Sequence, residues 1–112
     1  MTQPTDQTAP AHQRYAALID EAEAAAGMLP TIDACRRLED ELRAAITDLA
    51  DRVRREQGRL ARDTIDWNVR EQALLGAQAA LCGGPGLGLR SAALHVATLG
   101  AAARSLADCI AG

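Results

Sequence analysis

A chain of 112 residues with a net charge of −3 has room for one modest hydrophobic core and none for a separate catalytic domain. The acidic balance argues against an electrostatic grip on nucleic acid or anionic lipid, because both surfaces call for a net basic patch. With no Phe, one Trp and one Tyr, the core must be built from Leu and Ala, and helices rich in Ala approach one another closely.

The first ten residues, Met1 to Pro10, lack the basic start and apolar run of a secretory signal, so they read as a short disordered tail on a cytoplasmic protein. One domain, residues 11–112, follows. Tyr15, Leu18, Ala22, Ala25 and Leu29 recur at steps of three and four and predict a first helix from about Ala11 to Met28. Pro30 breaks it, and Thr31 supplies an N-cap for the next, with Asp33 at the positive end of the helix dipole.

Ile32, Cys35, Leu38, Leu42, Ile46, Leu49 and Val53 line one side of a long second helix that should run to about Gln57. Gly58 is its terminator, and Arg52, Arg54, Arg55 and Arg59 complement its C-terminus. Asp63-Thr64 caps a third helix with two stripes: Ile65, Val69, Ala73, Gly76 and Ala80 on one, and Trp67, Leu74 and Leu81 on the other. Such a wide apolar arc packs against two neighbours, or against one neighbour and a second copy.

Cys82-Gly83-Gly84-Pro85-Gly86-Leu87-Gly88 ends the third helix and interrupts the longest uncharged stretch, Gln72 to Leu89, before it could span a bilayer. The fourth helix starts near Leu89 and carries the strongest signal of the chain. Its seam of Leu89, Ala92, Val96, Leu99, Ala103, Leu106 and Ile110 is stable in water only when other helices cover it. Short connections favour antiparallel neighbours, so the fold class is all-α: a small up-down four-helix bundle.

Few residues point to chemistry. The glycine-rich connection, residues 83–88, precedes a helix and has Arg90 beside it, as an anion site would, but it lacks the Gly-Lys-Ser/Thr ending and the preceding strand of nucleotide loops. A structural turn explains it more simply. His95 borders the apolar seam, and the positions four residues away, Ser91 and Leu99, offer no second metal ligand. Cys35, Cys82 and Cys109 are odd in number and widely spaced, which fits reduced thiols better than a disulfide framework or a zinc site. Glu39, Asp40 and Glu41 among Arg36, Arg37 and Arg43 form the ion pairs of a solvated helix face. No catalytic residue, metal or cofactor is called for.

The segment from Gly84 to Val96, continuing through Leu99, Ala103, Arg104 and Leu106, resembles the C-terminal part of a family of small actinobacterial, Streptomyces-like proteins associated with natural-product biosynthesis and of uncharacterised function. The likeness covers about Thr31 to Ile110, including a third helical segment that bears a Trp. It implies a cytoplasmic accessory or regulatory protein and carries over no catalytic residues.

The leading expectation is therefore a non-enzymatic interaction module that binds a protein partner or a second copy. Trp67, Leu74, Leu81, His95 and Arg90 are the candidate interface or pocket residues. A second expectation is a small-molecule-binding or catalytic accessory protein, with an apolar pocket between helices near Trp67 and with His95 or Arg90 as its polar group. A third is a regulator that acts through a DNA-binding partner without touching DNA itself.

Overall fold

The computed structural model describes residues 11–25, 27 and 30–111; the expected tail, residues 1–10, and Leu29 lie outside them. Four helices follow one another: α1 (Ala11–Ala24), α2 (Ile32–Gln57), α3 (Ile65–Cys82) and α4 (Leu89–Ala111). The helix ends follow from local chemistry. Thr31 Oγ1 accepts from Ala34 N at 3.0 Å to open α2, and Thr64 Oγ1 accepts from Trp67 N at 3.2 Å to open α3. The Gly58 amide donates to Arg54 O at 3.0 Å and closes α2. Helix α1 closes at Ala24, where Ala25 N and Gly27 N turn back to the carbonyls three residues before them; its expected end, Met28, lies outside the described residues.

Two chain reversals need special backbone. Asp63, ahead of the Thr64 cap, takes φ +66, a left-handed conformation that Asp tolerates better than most side chains. Before α4, Gly86 and Gly88 take φ +67 and +88, so the glycines of this connection are required by the turn.

Contacts across the bundle fix its direction. The end of α2 meets the start of α3 where Gln57 Nε2 donates to Glu71 Oε1 at 2.9 Å, and Tyr15 of α1 donates to Asp48 of α2 at 2.8 Å. The start of α4 lies beside the start of α2, where His95 meets Glu39. The helices therefore run up, down, up, down, with α2 and α4 parallel.

In a square bundle α2 and α4 would be diagonal partners held apart. Here they pack extensively against each other, while α1 and α3 barely meet. The cross-section is a rhombus with α2 and α4 on its short diagonal. The largest fully buried side chains all belong to those two helices: Leu38, Leu42, Ile46, Leu49 and Val53 from α2, and Val96, Leu99 and Leu106 from α4. Fully burying each such side chain stabilises the fold by about 1.5–3 kcal/mol. The flanking elements contribute mainly small groups: Ala22 of α1, beside its Ile19, Ala25 just past that helix, and Ala77 and Ala80 of α3.

Helix α1 comes so close to α4 that a Cβ at Gly100 would lie 2.7 Å from the Cβ of Ala22. Ala in place of Gly inside an exposed helix normally stabilises it by about 0.8–1 kcal/mol. At this position the sign reverses, since the extra methyl overpacks a buried crossing at a cost of about 1–3 kcal/mol. Gly100→Ala is expected to lower the urea midpoint, and a raised midpoint would show that α1 does not sit as described.

Candidate functional site

Two arginines hold the ends of the bundle. Arg43, in the middle of α2, donates to Leu81 O at 3.0 Å and to Gly83 O at 3.1 Å, so its planar fork satisfies carbonyls that the end of α3 leaves unpaired. Its Nε donates to Glu39 Oε2 at 3.0 Å. His95 of α4 completes this node, with Nε2 at 3.3 Å from Glu39 Oε2 and 3.5 Å from Arg43 Nη2. One imidazole nitrogen cannot donate and accept at once. Arg43 has only donors to offer, so Nε2 accepts from it, and the Glu39 carboxylate stands close to the ring without a hydrogen bond to it.

Arg70, at the start of α3, plays the same part at the opposite end. It donates to Cys109 O at 2.9 Å, near the close of α4, and to Asp66 O at 3.1 Å, and it pairs with Glu56 at 3.3 Å. Its Nε is buried without a partner. Along the outside, Arg104 of α4 grips Glu23 at 2.7 Å and Asp20 at 2.8 Å, and Arg37 of α2 pairs with Glu21, so both long helices clasp α1.

These contacts assign structural work to several residues singled out from sequence. His95 is only 8% exposed and lies inside the Glu39–Arg43 node. Leu74 and Leu81 pack on the core, and Trp67 is half-buried at the start of α3 with Arg62 over its ring at 5.6 Å. Trp67 and His95 thus belong to opposite ends of α3, and the structure does not bring them into one pocket. Arg90 is exposed on the first turn of α4. Burial raises the thiol pKa of Cys35, and desolvation raises that of Cys109 against the pull of Arg70, so neither is set up as a thiolate nucleophile.

A cleft of about 240 Å³ opens between the first turns of α2 and the glycine-rich connection, lined by Ile32, Cys35, Arg36, Glu39, residues 85–88 and Ala92. A second uncovered surface lies along α3 and α4. Ile65 and Val69 of α3 and Leu94 of α4 are 81%, 52% and 53% exposed. Between the two helices runs a shallow groove whose walls include Gln72, Gly76, Ala79, Thr98, Ala101 and Ser105. The sequence has no charge from Gln72 to Leu89 and none on α4 between Arg90 and Arg104, so this face is apolar and small-residue in character, whereas α2 carries the solvated ion pairs. The third helix therefore divides its stripes differently from the sequence expectation. Leu74 and Leu81 turn to the core, and Ile65, Val69 and Gly76 turn outward.

A family model described as "Family of unknown function (DUF6415)" matches residues 9–110. The chain belongs to that family. No curated protein matches the chain, and no solved structure does. The family match spans all four helices, so both arginine nodes and the α3–α4 face lie within it. Among the described residues no helix is long and apolar enough to cross a membrane, and no group of three or more His, Cys, Asp or Glu is placed to hold a metal ion.

Sequence reasoning placed Glu39 on a solvated face and overlooked Arg43 and Arg70 as caps. Their partners are 38 and 39 residues distant, and neither spacing nor composition signals such a bond. Arg43→Ala is expected to cost about 1.5–3 kcal/mol, the range for hydrogen bonds to a charged group. Arg43→Lys should recover only part of this in urea unfolding, since a single ammonium cannot fork to two carbonyls; equal stability of all three proteins would contradict the node.

Hydrogen bonds from Arg104 hold the Glu23 carboxyl below its ordinary pKa. A lowered folded-state pKa gives a contribution that is complete above the ordinary glutamate range and lost as the pH falls through the folded value. Amide protection factors in α1 should therefore fall below roughly pH 4 before those of α2. Arg104→Gln should remove this difference between the two helices.

Proposed function

We propose that the protein is a non-enzymatic interaction module working through the outer face of α3 and α4. The observation that carries this reading is the contrast between that face and the rest of the bundle. Ile65, Val69 and Leu94 stand exposed around a charge-free groove, whereas the outer surfaces of α1 and α2 are charged and carry ion pairs such as those of Arg37 with Glu21 and Glu41. Ile65 and Val69 flank one end of this groove and Leu94 the other, and exposed apolar side chains around an uncharged groove mark binding sites. The arginines and carboxylates of the two nodes tie helix ends together, a scaffold role that fits a rigid presenter of surface.

The reading extends to a cytoplasmic accessory or regulatory role in actinobacterial natural-product biosynthesis. Support comes from the sequence resemblance of residues 31–110 and from the use of Arg alone for basic residues, as GC-rich coding gives. A small-molecule role draws on the cleft at the glycine-rich connection. At about 240 Å³ it is smaller than the 300–1,000 Å³ typical of ligand pockets, so it supports that second reading less well.

Photo-crosslinking in the native host separates these readings. A photoreactive residue at Val69 should give discrete adducts whose masses identify the bound protein, while one at Arg55, on the charged face of α2, should give none. Equal labelling at the two positions would overturn the assignment of this face.

A further inference from the structure

The exposed side of α4 is a self-complementary stripe. Arg90, Leu94, Thr98, Ala101, Ser105 and Asp108 follow one another at steps of three and four, and all six are exposed. Arg90 and Asp108 stand nine residues before and nine residues after Leu99, and the four positions between them on the stripe are uncharged. Among the described residues neither Arg90 nor Asp108 makes an ion pair.

Both charges also oppose their own helix. A base in the first turn faces the positive end of the dipole, and an acid in the last turns faces the negative end, and both arrangements are unfavourable. A second α4 laid antiparallel across the first corrects both ends. Each Arg90 then meets Asp108 of the other copy at the C-terminus of that helix, and each Asp108 meets an Arg90 at an N-terminus. Leu94 of one copy falls within one residue of Ser105 of the other, against the small-residue groove, and Thr98 falls within one residue of Ala101. A two-fold interface imposes this reciprocity, with each position meeting its counterpart twice.

We infer that the occupant of the outer α3–α4 face is a second copy of this chain, docked with the α4 helices antiparallel about Leu99 and the Arg90–Asp108 pair formed twice. The inference rests on the interaction-module reading and names its partner. Sedimentation velocity on the purified full chain tests it through charge reversal. Wild type should dimerise with concentration, and Arg90→Glu and Asp108→Arg should each weaken the dimer at least tenfold, because each places like charges together twice.

A one-to-one mixture of the two variants should recover the dimer, since both pairs in the mixed species are again opposite in charge. The double variant should also dimerise, which keeps the test decisive if either single variant folds poorly. A wild type that stays monomeric, or a mixture no tighter than its components, would overturn the inference. Crosslinks from Val69 to a different protein would leave the interaction reading standing while removing the second copy.

Discussion

Burial between α2 and α4 is the contact on which the rest of the molecule depends. A chain without Phe and with a single Trp cannot fill the centre of a square bundle with large rings. It closes the centre instead by bringing its two longest helices together, and all the largest fully buried side chains, Leu, Ile and Val from α2 and Leu and Val from α4, belong to that pair. The shorter helices then take up positions on either side. They face the core mainly with Ala, which suits close approach and buries little area per residue, and so polar contacts assist in holding them.

Those contacts are made chiefly by arginine. The guanidinium fork reaches two acceptors at once, and it remains charged at any pH where the protein folds. Arg43 spends its fork on the carbonyls at the end of α3, Arg70 reaches a carbonyl near the end of α4, and Arg104 clasps two carboxylates of α1. Each joins elements distant in sequence. The nodes at the two ends of α3 fix its register against both long helices, which in turn defines the groove on its outer side.

The elements governed by local rules were legible before the structure. Thr31 and Thr64 were recognisable as caps because the bond from a hydroxyl to an amide three residues on is a short-range event. The α4 seam was recognisable because its period is that of a helix with one covered side. The rhombic cross-section was not legible, since periodicity tells which side of a helix is covered and not which helix covers it. His95 shows the same limit. Its place beside the seam was readable, but its partner Glu39 stood among charges that looked solvated, and only the approach of α2 to α4 turns that carboxylate inward. On α3 the apolar stripes could be counted, and their assignment to core or surface depended on where Arg70 and Gln57 anchor the helix.

The same geometry explains why α4 has two characters. With α1, α2 and α3 all packed against it, three sides are covered and the fourth, the Arg90–Asp108 stripe, faces outward. The short α2–α4 diagonal is therefore the claim that supports both the stability account and the exposed face. Methyl-to-methyl nuclear Overhauser contacts in selectively labelled protein measure it directly. The account predicts strong contacts from Leu99 and Leu106 of α4 to leucine and isoleucine methyls of α2, with few or none between α1 and α3. Strong contacts from Ile19 to Leu74, with α2 and α4 silent toward each other, would contradict it.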